Sequence, residues 1–184
     1  IAHIGVGLML IGILLSAGYS EVVSLNNTGM LISRQLDEEF NRENLLLFLN
    51  EPKTMANYQI KYKGERLEPI DSDGLIHKND VDKIDAYTVV ANKDVFFEGH
   101  QLYNINDTIV VHGENVYYEV ELKAGNGKVY NLYPRIQDNP TMGMAASPSI
   151  KRDLLRDLYA HVVSRLSRED VEWSKMKEFK ISPR

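Results

Sequence analysis

The chain has no cysteine among its 184 residues. That excludes disulfides, thiolate metal sites, a cysteine nucleophile and a cysteine-linked lipid anchor on this stretch, and it leaves the redox compartment unread. Basic charge is also short, with 21 Lys and Arg against 26 Asp and Glu, a formal net charge of −5. Nucleic acid is therefore not an expected partner, because phosphate binding needs a concentrated basic surface. No glycine-rich phosphate loop, no pair of histidines spaced on one helix and no Gly-x-Ser-x-Gly nucleophile turn occurs. The histidines, His3, His77, His100, His112 and His161, are scattered. Carboxylates are abundant on polar faces, so none stands out as an acid and base couple. Charge itself is missing from residues 1–20, and the first charged side chain is Glu21.

What fills that uncharged stretch is apolar or small from Ile1 to Ala17, apart from His3 and Ser16. Twenty helical residues reach about 30 Å, the thickness of a bilayer core, so a transmembrane helix is expected over 1–20. A secretory signal peptide is the alternative, since Ser16, Ala17 and Gly18 mimic a small-residue cleavage site. The missing basic start and the histidine inside the run weigh against it. Gly5 and Gly12 stand two helical turns apart on one face and leave room for a second helix to approach. A start at Ile1, with no Met and no basic leader, predicts that the chain continues upstream. His3 is the one residue here that invites a functional role. An imidazole inside hydrocarbon is costly unless it meets a proton acceptor, a carbonyl or a metal. The plainer reading places it at the interface, facing water or headgroups.

From Glu21 to Arg184 the composition is that of a soluble domain, and the pattern is mostly period two with turn punctuation, which favours antiparallel β structure. Tyr58, Ile60 and Tyr62 alternate with Gln59, Lys61 and Lys63 until Gly64. Val116, Tyr118, Val120 and Leu122 alternate with polar neighbours, and Gly125-Asn126-Gly127 turns the chain into Val129–Tyr133 as a hairpin. Further strands are expected at Asn44–Leu49, Tyr87–Ala91, Val95–Phe97 and Thr108–His112. This predicts a small antiparallel barrel or sandwich. The polar stretch Glu65–Asp85, with Asp71, Asp73, Asp80 and Asp82, reads as a solvated excursion without calcium-loop spacing. Ile150, Leu154, Leu158, Val162 and Leu166 recur at four-residue steps behind Ser147-Pro148-Ser149, which predicts one C-terminal amphipathic helix over about 149–166. Its Lys151 and Arg152 read as a solvated face, and the Met142 and Met144 loop as packing.

One family resemblance joins these pieces. Ala2-His3-Ile4-Gly5-Val6-Gly7, followed by Ile11-Gly12-Ile13 and Ser16, resembles the late transmembrane helix of CcmF-type cytochrome c haem lyases. Asn57-Tyr58-Gln59-Ile60-Lys61-Tyr62-Lys63-Gly64 is similar to that family's tyrosine-led strand, Leu132-Tyr133-Pro134-Arg135 to its Leu-x-Pro strand end, and Arg156-Asp157-Leu158-Tyr159 to its Arg-Asp-Leu-Tyr motif. Order and spacing agree across nearly the whole chain, which would be the C-terminal part of such a protein. The chain departs from the family pattern in a longer segment between Glu65 and His112, and in Arg135-Ile136-Gln137-Asp138 after the proline.

The resemblance implies a bacterial inner-membrane protein, with a membrane helix at 1–20 and a periplasmic β-rich domain at 21–184. It implies haem b as cofactor of the full-length parent, with His3 as an axial ligand of its iron. The second axial ligand and the haem-handling loop would lie upstream. It implies as partners a haem chaperone, apocytochrome c and other cytochrome c maturation subunits. The function so implied is haem handling during covalent attachment to apocytochrome c, with the parent a lyase component and this fragment alone not catalytic. The competing readings are a membrane-anchored periplasmic binding module or a scaffold domain, neither with a haem role.

Overall fold

The structure is a computed structural model, and it describes residues 4–7, 9–11, 37–139, 141, 143–152 and 157–163. Residues 4–7 and 9–11 are helical, and Ile4, Val6, Met9, Leu10 and Ile11 expose their apolar side chains. Among the described residues no helix is long and apolar enough to cross a membrane. Most of the uncharged run, His3 included, lies outside the described residues.

The first labelled element is the short helix α1 (Glu38–Glu43). Asp37 Oδ1 accepts from the Phe40 amide at 2.6 Å, Glu38 and Glu39 sit at the positive end, and Arg42 sits at the other. The strands follow as β1 (Pro52–Met55), β2 (Tyr58–Leu67), β3 (Ile76–His77), β4 (Val81–Lys83), β5 (Thr88–Ala91), β6 (Val95–Phe97) and β7 (His100–Tyr103). Then come β8 (Thr108–Val110), β9 (Asn115–Ala124), β10 (Val129–Leu132), β11 (Arg135–Asn139), β12 (Gly143–Ser147), β13 (Ser149–Arg152) and β14 (Asp157–Ala160). Among the described residues the structure is thus mainly β, in antiparallel sheets of which none is closed, rather than the expected closed barrel.

Two compact units divide the chain, Ile1–Glu65 with Glu119–Leu132, and Arg66–Tyr118 with Tyr133–Arg184. In the first, β1 and β2 form a hairpin closed by Ala56 and Asn57, with Met55 opposite Tyr58. Ala56 sits at φ 48°, a left-handed conformation that costs a side chain about 1–2 kcal/mol. The predicted hairpin of β9 and β10 is present, with Val129 opposite Lys123 and Leu132 opposite Val120. Gly127 supplies the positive φ its turn needs, at 84°, and the Ala124 amide closes on the Lys128 carbonyl at 2.8 Å. Met55, Tyr58, Val120, Leu122, Ala124, Tyr130 and Leu132 are the buried apolar side chains among this unit's described residues.

In the second unit β4, β5 and β8 make a three-stranded sheet and β6 pairs with β7. Ile76, Val81, Val89, Ala91, Val95, Ile109 and Val111 form one buried cluster, with Leu67, Leu102 and Tyr103 packed on it. The stretch expected as a solvated excursion therefore contributes to a core. β3 pairs with the end of β2, Leu67 opposite Ile76, because alternate apolar residues within the polar run face one another. Asn44–Leu49 is not a strand; only Leu49 makes a bridge, to Tyr62.

The expected C-terminal helix is also corrected. Where described, the segment is a hairpin, β13 against β14, with Ile150 opposite Tyr159 and Lys151 opposite Leu158. A four-residue step does not by itself separate helix from strand, being also a multiple of two, and here the register splits the stripe, with Ile150 and Tyr159 on one face and Lys151 and Leu158 on the other. Residues 153–156 and 164–166 of that expectation lie outside the described residues.

Candidate functional site

The one site residue expected from the sequence, His3, lies outside the described residues. The other histidines are placed separately. His77 caps a 3-10 turn, its Nδ1 accepting from the Asn79 amide at 3.2 Å. His100 is exposed on β7, His161 is exposed just after β14, and His112 Nδ1 lies 3.4 Å from Glu114 Oε1. Among the described residues no three His, Asp or Glu side chains come together in a way that holds a metal ion. Two aspartates of the 71–82 stretch have structural partners. Asp71 accepts from the Tyr103 hydroxyl, and Asp80 Oδ1 pairs with Lys93 Nζ at 2.8 Å.

A different group of residues is brought together in the second unit, around a pocket of about 420 Å³. Its floor comes from the turn after β2, where Glu68, Pro69, Ser72 and Gly74 lead toward β3. Its wall comes from Phe97 at the end of β6, from His112 and Tyr117 at the entry to β9, and from Tyr133 before β11. The Pro69 bridge to Val111 and the His112 amide bond to the Glu68 carbonyl, 2.9 Å, hold floor to wall. A Cβ at Gly74 would meet the end of the Leu102 side chain, which would have to turn aside.

Glu68 is the centre of the polar network. Its Oε2 accepts from Asn115 Nδ2 at 2.5 Å and its Oε1 from the Tyr117 hydroxyl at 3.1 Å. Burial pushes the Tyr117 hydroxyl above the ordinary phenol range, and the Glu68 charge and hydrogen bond push it the same way, while Arg135 opposes. Arg135 Cζ stands 5.9 Å from the Tyr117 ring centroid and its Nη2 donates to Ser147 Oγ at 3.3 Å. Asn115 is only 6 % exposed, and among the described residues its Oδ1 has no hydrogen-bond partner.

The aromatic side of the pocket is ordered by Arg66. Its guanidinium lies 5.5 Å from the Phe97 ring and 5.7 Å from the Tyr133 ring, while Nη1 donates to the Leu75 carbonyl at 2.8 Å. Phe97 and Tyr133 are themselves 5.5 Å apart at 52°. Nearby, Tyr103 is held protonated well above the ordinary phenol range, by burial first and then by Asp71.

Sequence reading misses this group because its members are far apart, Glu68 and Tyr117 standing 49 positions from each other. The available signals are Asn115 immediately before an alternating apolar run and the tyrosine-proline pair Tyr133-Pro134 after one. Comparison of the chain with protein-family models, with curated proteins and with solved structures finds no match.

Proposed function

We propose that the chain is the C-terminal part of a CcmF-type cytochrome c haem lyase, a bacterial inner-membrane protein that handles haem during its covalent attachment to apocytochrome c. On this reading residues 1–20 belong to a membrane helix and residues 21–184 to a periplasmic β-rich domain. The observation that carries it is the ordered series of motifs, from Ala2-His3-Ile4-Gly5-Val6 through Tyr58–Gly64 and Leu132–Arg135 to Arg156–Tyr159. The described part of the first motif is consistent with lipid contact, being helical with Ile4, Val6, Met9, Leu10 and Ile11 exposed. Tyr58–Gly64 falls within β2, Leu132–Arg135 spans the junction of β10 and β11, and Asp157-Leu158-Tyr159 lies on β14. At the junction Pro134 is fully buried and its carbonyl accepts from the Tyr118 amide at 2.9 Å.

The donor chemistry suits the cofactor, since a neutral imidazole is an ordinary axial ligand of haem iron. A b-type haem, if bound there, would supply electron-transfer chemistry. On this reading the chain's own part would be to offer the His3 imidazole from an uncharged stretch, whose low polarity would tune the iron's potential. Its expected partners are a haem chaperone, apocytochrome c and other maturation subunits.

The test is the reduced absorption spectrum of the purified full-length parent, wild type beside His3→Ala and His3→Met at matched protein. A b-type spectrum lost with Ala and shifted with Met supports the reading, the Met variant guarding against simple misfolding. A wild type without haem sinks it and leaves a membrane-anchored binding module in its place. An unchanged spectrum in both variants removes His3 from the iron.

A further inference from the structure

We infer that the pocket around Glu68 binds a primary ammonium group, carried by a lysine side chain of a partner segment or by a free alkylamine. Glu68 is half-buried, and its two carboxylate oxygens are met by neutral donors only, the Asn115 amide and the Tyr117 hydroxyl. Among the described residues no cation pairs with it. A carboxylate drawn partly out of water without a counter-charge favours a ligand that brings one.

Hydrogen-bond arithmetic points the same way. Asn115 spends its amide nitrogen on Glu68, and the amide oxygen of the same side chain is buried without a donor. Asn115 stands behind the lining residues, so the acceptors that a ligand meets in the pocket are carboxylate oxygens, those of Glu68 first. An ammonium group has three N–H donors and no acceptor, whereas a hydroxyl or carboxylate ligand would add acceptors to a site already rich in them. Asp73, exposed on the same pocket, adds a second negative charge at the mouth.

The walls suit the rest of such a ligand. Phe97, Tyr117 and Tyr133 offer aromatic surface for a methylene stem and attract a cation at their faces. Arg66 already exploits that attraction over Phe97 and Tyr133, and Arg135 over Tyr117, but their guanidinium groups are engaged at the Leu75 carbonyl and at Ser147 respectively. The cavity, about 420 Å³, lies within the range of small-molecule sites. Nothing in this site depends on haem, so its fate is separate from that of His3.

The experiment uses the whole 184-residue chain in detergent micelles, with Ile and Leu methyl groups labelled for NMR. The probes are n-butylammonium, an N-acetyl-lysine amide and neutral n-butanol, all at one ionic strength. Both cations should give saturable shifts at the Ile70 and Leu75 methyls, and butanol none. Glu68→Gln keeps an acceptor for Asn115 and Tyr117 but removes the charge, and should weaken the cations about tenfold or more. Tighter binding of the lysine amide identifies a lysine-bearing segment as the source, and tighter binding of butylammonium a free amine. Absence of saturable shifts, equal binding of butanol, or undiminished affinity in Glu68→Gln overturns the proposal. If Glu68→Gln disturbs the Ile109 methyl, and so the core, Asp73→Asn takes its place, and unchanged affinity there is the overturning result.

Discussion

Between Arg66 and Val111 six short strands enclose seven buried apolar side chains, whereas β12, β13 and β14 leave almost every side chain exposed and bury only Leu158. Both stretches belong to one compact unit and both are built from strands of two to five residues. Strand length is therefore not what makes the first a core. The difference is side-chain chemistry. Val81, Val89, Val95, Ile109 and Val111 are β-branched and meet one another, while Gly143-Met144-Ala145-Ala146-Ser147 offers small side chains with little area to bury, apart from Met144, which is exposed. Charged Lys151 and Arg152 follow in the next strand. A hairpin without a packed face is marginal in water, so β13 and β14 draw little stability from their own contacts.

The sharpest way to break this contrast is a pair of matched truncations. Ile109→Ala, at a site 1 % exposed, should cost about 2–5 kcal/mol in denaturant unfolding. Ile150→Ala, 45 % exposed on β13, should stay within about 0.5 kcal/mol. Equal losses would mean that β13 and β14 are part of the core after all. A smaller effect is expected from Gly113→Ala, whose added Cβ would run into the Ala86 carbonyl oxygen and displace backbone at the edge of the packed stretch. Overpacking of that kind costs about 1–3 kcal/mol, read as a lower melting temperature.

The smallest effect is a pH dependence confined to the packed stretch and its pocket. Tyr103 and Tyr117 both hold their protons above the ordinary phenol value of 10.0. The unfolded chain loses those protons first, so their contribution is complete below pH about 10 and fades as pH rises toward the folded values. Tyr103→Phe with Tyr117→Phe should flatten the alkaline limb of a stability-against-pH curve. An unchanged limb would show that neither hydroxyl is held as the geometry implies.

Much of the sheet is legible in the sequence. The hairpin of β9 and β10 follows from alternation and a Gly-Asn-Gly turn, β6 has the expected bounds, and β5 and β8 differ from expectation only at their ends. What fails is where one pattern serves two structures. Ile150 and Leu158 fit a helical stripe, yet in the hairpin Ile150 faces Tyr159 and Leu158 faces Lys151. The 65–85 stretch fails for a different reason, because Leu67, Ile76 and Val81 are single apolar residues in a polar run, and only long-range pairing makes a core of them. The Glu68 pocket is illegible for the same cause. Its residues meet through tertiary contacts, and each alone looks like a surface residue.

The turn at Ala56 has a practical sequel. Evolution left a methyl group at φ 48°, where glycine would rest without steric penalty, and Glu98 occupies the same backbone region, also at 48°. These two bends carry strain that a glycine would remove. An engineer wanting a hardier version of this domain has two tight bends to refit before touching a single interior residue.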